Sequence, residues 1–397
     1  MNNLRSNLPA LENKFYFNYG GQGPLPKASL DSITASWVKI QQLGPFTNDV
    51  WPFISNEIQE TKLLIARLCG VSTKRIALTE NVTTGCILPL LGIPFLEGER
   101  ILISNCEHPG VVSACKELAK QKKLCIDIFD VQSLSGGIEK AENTTAEVIK
   151  SLELSLTPKT RLVVLSHLLW NTGEIMPIEL IASFLGKYKD PPFLLVDAAQ
   201  SFGQIPIGSA ASKADIYAFT GHKWAFGPEG LGATIVSERI LEQSNPTLVG
   251  WKSLKNEGSI YSDNTNPYHS DGRKFEIATS CTPLLSGLRC SLELLEKEGT
   301  DYQRIEKIQS LSKELWVELR KIHPIKLVLQ SPPQTGLLSF SVKSNMSHNQ
   351  IVRALGKKST WIRVLEDPTW LRACVHITTT REEIKELTKR LKEISKE

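Results

Sequence analysis

Several apolar runs in this 397-residue chain end in polar residues that core packing does not require. FLLVD closes at Asp197 and continues through Ala198 and Ala199 to Gln200. ADIYAF runs into Thr220, Gly221, His222 and Lys223, and RLVVLS leads to His167 and then Asn171. Earlier in the chain, RIALT is followed by Thr83 and Thr84, and RILIS by Glu107 and His108. A lysine set among the apolar and small residues of AFTGHKWAFG is favoured as a neutral amine, the form that attacks a carbonyl carbon. A carboxylate such as Asp197 can hold a proton on a ring nitrogen. Hydroxyls and backbone N–H groups at a helix start suit a phosphate. The chemistry these types could do together is amine–carbonyl chemistry on a phosphorylated aromatic aldehyde.

Pyridoxal 5'-phosphate (PLP) has those requirements. Its pyridine nitrogen needs a carboxylate if the ring is to accept electrons, a role that suits Asp197. Its aldehyde needs an amine that can later carry a Cα proton, which suits Lys223. Thr83 and Thr84, helped by Thr220 and His222, can meet the phosphate, Gln200 or Asn171 can reach the ring oxygen, and His108 can stack on the ring. Taken singly, each residue has an ordinary use. A Thr-Thr pair is commonly a helix cap, a strand-end Asp a metal or ribose contact, and an Asn a turn former. The coincidence of all of them at strand ends carries the reading, with Asp197, Lys223 and His108 as the catalytic set.

The elements that must position these residues can be read from the same runs. Strands are expected at 75–79, 100–104, 124–129, 161–166, 193–197, 214–219 and 231–236. Several are apolar throughout, as strands covered on both faces are. Helical patterns at 56–69 and 110–122 alternate with them, which implies a mainly parallel sheet in three layers with ligands at the carboxyl ends of its strands. Residues 250–275 are polar and turn-rich, and read as an exposed excursion. Helical patterns at 283–298 and 301–322, strand-like LLSFSV and RACVHI, and a last helix opened by Thr380 and Glu383 as a capping box follow. The expected fold class is α/β: a three-layer αβα domain with a seven-stranded sheet over 17–276, plus a smaller α+β domain over 277–397, with residues 1–16 packing on the latter.

Composition narrows the function classes. A formal charge of +4 gives no reason to expect nucleic acid or an anionic membrane as partner. The start lacks an apolar core suited to a signal peptide, and CILPLLGIPFL is too short and too broken to span a bilayer. The eight cysteines show no zinc-type spacing, so no metal is expected, and free thiols in a reducing cytoplasm is the plain reading.

With these residues in view, the sequence resembles the class V aminotransferase and cysteine desulfurase family of fold type I PLP enzymes. The span Asp215-Ile-Tyr-Ala-Phe-Thr-Gly-His-Lys223, followed by Gly230-Leu-Gly232, resembles its lysine signature. Asp197 with Gln200, Thr83 with Thr84, Glu107 with His108, and Asn171 match its other elements. The resemblance implies phosphate contacts from Thr220 and His222, and from Thr279 toward a neighbouring subunit in a homodimer. It also implies that Arg372 grips the substrate α-carboxylate and that Arg363 is a second arginine near the site. Desulfurases of this family carry a nucleophilic cysteine shortly after that second arginine; here RVLEDPTWLR, 363–372, has none. Cys374 reads as core and Cys281 as a weaker rival. The segment SHLLWNTGEIMP and the shortened loop resemble cyanobacterial L-cysteine/L-cystine C–S lyases. The expected activity is therefore β-elimination from a small amino-acid substrate to pyruvate, ammonia and a persulfide or sulfide, with a sulfur-acceptor protein as a further partner. Trp251, Arg363 and the polar loop 252–272 are expected at the mouth. The alternatives are a desulfurase releasing alanine, an epimerase or aminotransferase acting on a non-sulfur amino acid, and a PLP-binding regulatory protein.

Overall fold

The structure, a computed structural model, describes residues 4–255, 266–366 and 368–394. All seven expected strands join one sheet: β1 Ile76–Thr79, β2 Arg100–Ser104, β3 Cys125–Phe129, β4 Thr160–Ser166, β5 Phe193–Asp197, β6 Ile216–Thr220 and β7 Gly232–Val236. Their spatial order is β1-β7-β6-β5-β4-β2-β3. The run from β3 through β2, β4 and β5 to β6 is parallel, with helices or long crossovers between strands. The exception is β7, antiparallel to both β1 and β6. The link from β6 to β7 contains no helix, so the chain can only return alongside in the opposite direction. That link carries Lys223.

The strands read as apolar runs because both faces are covered. Ile101, Ile103, Leu162, Val164, Leu195 and Ile216 pack into one core with Cys86 and Val111 of the helices Val82–Leu91 and Pro109–Lys122. Their neighbours Leu102, Val163, Leu165, Val196 and Tyr217 belong to the core on the other side. This two-residue alternation is what a pleated strand imposes.

A second sheet follows, built from β8 Ile325–Leu327, β9 Leu337–Val342, β10 Arg363–Val364 and β11 Leu371–Cys374 in the order β10-β11-β9-β8 and antiparallel throughout. The helix Asp301–Arg320 packs on it, and Arg381–Ile394 packs in turn on that helix. The expected capping box is present: Thr380 N donates to Glu383 Oε2 at 2.7 Å, and Glu383 N to Thr380 Oγ1 at 3.2 Å. The N-terminal segment meets these C-terminal elements, Phe15–Tyr16 pairing in parallel with Thr360–Trp361 and Arg5 bridging to Glu383 at 3.0 Å.

The reading of 250–275 as an exposed excursion needs correction. Residues 256–265 lie outside the described residues, but Gly272–Phe275 forms a 3-10 turn in which Gly272, Lys274 and Phe275 are buried. A Cβ at Gly272 would meet the Ile76 carbonyl at 2.6 Å, so the turn lies directly on β1. Lys274 is buried because its ammonium caps a helix end, donating to the carbonyls of Leu241 at 2.6 Å and Ser244 at 2.5 Å. Trp251, Lys255, Asn266, Ser270 and Arg273 are exposed as expected, so the correction concerns the buried end of the segment, where the polarity of Lys274 serves capping.

Candidate active site

Because β7 runs backwards, Gly232 at its start pairs with Thr79 on one side and Thr220 on the other. Along this end of the sheet therefore lie, in order, the helix start after β1, the lysine turn after β6, Asp197 at the end of β5, Ser166 at the end of β4, and Glu107 and His108 after β2. Adjacent strands are about 4.8 Å apart, which brings all of these into one cleft.

The helix start is capped by Asn81, whose Oδ1 accepts from Thr84 N at 3.0 Å while Asn81 N donates to Thr84 Oγ1 at 3.3 Å. Thr83 and Thr84 thus sit in the first turn, and the cap itself is a residue the sequence reading passed over. Across Gly232, Thr220 Oγ1 and His222 Nδ1 are 2.7 Å apart. Burial and the Lys223 charge keep His222 below the ordinary histidine range.

The lysine turn is pinned from several directions. Gly23 N donates to the His222 carbonyl at 2.8 Å, and Gly227 N to the Gly221 carbonyl at 2.8 Å. Gln200 Oε1 accepts from Trp224 Nε1 at 2.8 Å, and His376 Nε2 lies 3.0 Å from the Trp224 carbonyl. Phe226 holds φ of 54°, a conformation that non-glycine residues rarely adopt. A side chain at Gly23 would run into the Lys223 carbonyl. Burial, helped by Arg372 and Arg363 and opposed by Asp197, lowers the Lys223 amine to about 8, which favours its nucleophilic form.

Asp197 is buried, and its Oδ1 accepts the Ala199 N–H at 2.8 Å. Burial raises its carboxyl, while the Ala199 bond, Lys223 and His108 draw it back. His108 caps the helix Pro109–Lys122 through Nδ1, which accepts from Gly110 N at 3.2 Å, so a neutral ring carries its proton on Nε2. The Trp170 ring meets it edge-on at 5.9 Å. Gln200 Nε2 donates to the Gly20 carbonyl at 2.9 Å. With its oxygen on Trp224 as well, Gln200 braces the floor, and Asn171 is the freer of the two amides. His167 faces away from the cleft, its Nδ1 2.8 Å from the Tyr217 hydroxyl.

Arg372 is 1% exposed, on β11. Its Nη1 donates to the Trp170 carbonyl at 2.9 Å, whereas among the described residues Nε and Nη2 meet no oxygen or nitrogen acceptor and have only the Cys374 thiol beside them. These two nitrogens form one edge of the guanidinium, the fork that takes both oxygens of a carboxylate. Asn171 Oδ1 is likewise buried without a partner. Groups of this kind are costly to leave unpaired. Arg372 acts on Lys223 through its charge, and Asn171 follows the Trp170 carbonyl that holds Arg372, so the pair fits a bound cofactor and an amino-acid carboxylate. Cys374 lies near this fork: a Cβ on Gly20 would meet Arg372 Nη2 and Cys374 Sγ at 3.1 Å each. The thiol is core, as expected, yet it adjoins the cleft, and burial raises it above the ordinary thiol value against the pull of Arg372.

Of the other expected residues, Arg363 acts on Lys223 and His108 through its charge, whereas Thr279 and Trp251 are not brought in. Arg363 is exposed, facing Arg372 across the β10–β11 pair. Thr279 is exposed, and Trp251 is 43% exposed, with Lys252 Nζ 5.6 Å from the centre of its ring. Sequence reasoning missed Trp170, Asn81 and Gly20. The one available signal was the Gly-Gly-x-Gly pattern at 20–23.

A mainly parallel sheet with helices on both faces, presenting a lysine opposite a buried aspartate at its strand ends, defines a PLP-dependent enzyme of fold type I. The chain belongs to the aminotransferase class-V family, whose pattern matches residues 52–387. Among solved structures, the cystine C–S lyase C-DES in complex with its reaction product cysteine persulfide is 37% identical, with a TM-score of 0.90 over 97% of this chain and 99% of that one. A C-DES mutant with glycine covalently linked to the PLP cofactor is 36% identical, with a TM-score of 0.90 over 98% of each chain. A probable cysteine desulfurase of Methanothermobacter thermautotrophicus is 23% identical over 99% of this chain and 97% of its own.

Proposed function

We propose that the protein is a PLP-dependent carbon–sulfur lyase acting on L-cystine or L-cysteine. The observation that carries this over the desulfurase reading is the β10–β11 connection. It is a tight hairpin closed by Leu365 N donating to the Trp370 carbonyl at 2.7 Å, and its sequence contains no cysteine. Such a connection cannot deliver a thiol to a substrate sulfur. Cys374, the nearest thiol along the chain, is fixed in β11 and pairs there with Leu337. The likeness to C-DES, which its structure describes as a cystine C–S lyase, supports the same reading.

Bound PLP would supply an aldehyde for the substrate amine and an electron-accepting ring. Lys223 would hold the aldehyde, Asp197 the ring nitrogen, and Asn171 or Gln200 the ring oxygen. Thr83, Thr84, Thr220 and His222 would meet the phosphate, and His108 the ring face. Arg372 binds the substrate carboxylate on its free edge, which orients the Cα–H. The Lys223 amine takes that proton, and its lowered basicity suits transfer near neutral pH. Sulfur then departs from Cβ. From cystine, one water is consumed and pyruvate, ammonia and cysteine persulfide are released. The persulfide is a stronger acid than an ordinary thiol and leaves readily.

We also place the domain boundary near residue 276, and read the exposed Thr279 and Trp251 as reaching the site of a second copy in a homodimer. Arg363 is assigned to the mouth. Part of the polar loop assigned there, 256–265, lies outside the described residues. A cytoplasmic location and a sulfur-acceptor protein belong to the same proposal; among the described residues no helix is long and apolar enough to cross a membrane. The test is product identity. Incubating the purified, PLP-loaded protein with cystine is expected to yield pyruvate, whereas alanine would establish a desulfurase.

A further inference from the structure

Next to Asp197 lies a second buried carboxyl group that this mechanism does not use. Glu107 is 7% exposed. Its Oε1 accepts from Ser104 Oγ at 2.6 Å and Ser166 N at 2.7 Å, and its Oε2 lies 2.9 Å from Ser166 Oγ. It therefore ties the end of β2 to the end of β4. Ser166 is in turn the register partner of Asp197 on β5, and His108 is the next residue in the chain.

The two carboxyls have opposite surroundings. Asp197 has Lys223 and His108 nearby, both able to offset a negative charge. Glu107 forms no ion pair among the described residues, and the titratable groups that feel its charge would themselves ionise to anions. They are Asp197, Cys86 on the helix Val82–Leu91, Cys115 on the helix Pro109–Lys122, and the adjacent Cys106. When two neighbouring acids meet such different environments, their roles separate.

We propose that Glu107 is a positioning residue held as a neutral carboxylic acid, donating its proton to Ser166 Oγ and leaving Asp197 the sole carboxylate facing the cofactor ring. In this arrangement Oε1 keeps both of its donors and Oε2 becomes a donor. The clamp between β2 and β4 holds with no second negative charge beside Asp197. Burial first, opposed by the hydrogen bonds from Ser104 and Ser166 and aided by Asp197, raises the Glu107 carboxyl to about 7, in agreement with that geometry. The proposal rests on the assignment of Asp197 to the ring nitrogen and is independent of which amino acid is the substrate.

Infrared difference spectroscopy tests it on the PLP-loaded wild type against Glu107→Gln, after the visible band has shown both to be loaded. At about pH 6, below the raised value and above ordinary carboxyl values, the wild type is expected to show the carbonyl band of a protonated carboxylic acid that the variant lacks. Glu107→Gln also preserves the donor and acceptor pattern of the neutral acid. Its PLP dissociation constant is expected within about threefold of wild type, against a rise of at least about tenfold for Glu107→Ala, the loss of one buried hydrogen-bonded clamp. A wild-type spectrum showing only carboxylate at Glu107, or a Gln variant that releases PLP as readily as the Ala variant, would overturn the proposal. Failure of the wild type to bind PLP would instead defeat the cofactor reading itself.

Discussion

Arg372 makes the most definite statement of any single side chain. A guanidinium this deeply buried, with one nitrogen on a backbone carbonyl and an edge that meets no oxygen acceptor among the described residues, is poised for a ligand carboxylate. Arg372→Lys keeps the charge but loses the fork. It is expected to raise KM for cystine roughly thirtyfold with a smaller change in kcat, as loss of about 2 kcal/mol of charge-assisted hydrogen bonding implies. Steady-state kinetics would check this; an unchanged KM would remove Arg372 from the site. Lys223→Ala is expected to abolish both pyruvate production and the visible band produced by covalent attachment of PLP. Most of these site residues were legible in the sequence because each follows an apolar strand at once, so the strand pattern itself marks them. Arg372 was assigned only by resemblance. Its partner carbonyl, on Trp170, lies some two hundred positions away, and no local period connects the two.

At the scale of elements, the loop between β4 and the helix Ile178–Leu185 presents Trp170 and Asn171 to the cleft. Glu174 holds this loop: its Oε2 accepts from Gly136 N at 3.1 Å and Gly137 N at 2.9 Å, and its Oε1 from Gln334 Nε2 at 2.7 Å. A short bridge between Leu168 and Ile175 closes the loop. Glu174→Ala is expected to cost about 2–3 kcal/mol, since it strands three donors. It should also raise KM, because the Trp170 carbonyl that orients Arg372 would loosen. Thermal melting together with kinetics separates the two effects, and a stability loss with unchanged KM would deny the loop its positioning role. None of this was legible in the sequence. A glutamate in a turn reads as solvated until the turns it meets, at 136–137 and 334, are placed in space. The antiparallel direction of β7 was hidden for a similar reason: strand runs show their burial, not their direction.

At the scale of the whole molecule, two cores flank the large sheet, and the smaller sheet closes against one of them. His167 and His376 are buried in these contacts. Burial lowers them to about 4 and about 3, far below the ordinary histidine value. His376 Nδ1 already accepts the Ile377 N–H at 2.8 Å, so protonation there breaks a bond as well. As pH falls from about 6.5 toward 4, the unfolded chain takes up protons that these folded histidines refuse. Stability therefore declines in that window by up to about 1.4 kcal/mol per pH unit for each. Raised acids such as Glu107 contribute the opposite slope, so the clean comparison is with a variant. His376→Gln is expected to lose less melting temperature than wild type between about pH 7 and pH 5, and an equal loss would show that His376 titrates normally.

The central claim is that sulfur leaves the substrate without ever bonding to the protein. The most direct measurement is a single turnover with cystine, quenched and read at once by intact-protein mass and product analysis. The account predicts one pyruvate and one persulfide per cystine consumed, with the protein mass unchanged. A protein carrying the second half-cystine as a covalent trisulfide adduct, with alanine in place of pyruvate, would contradict it.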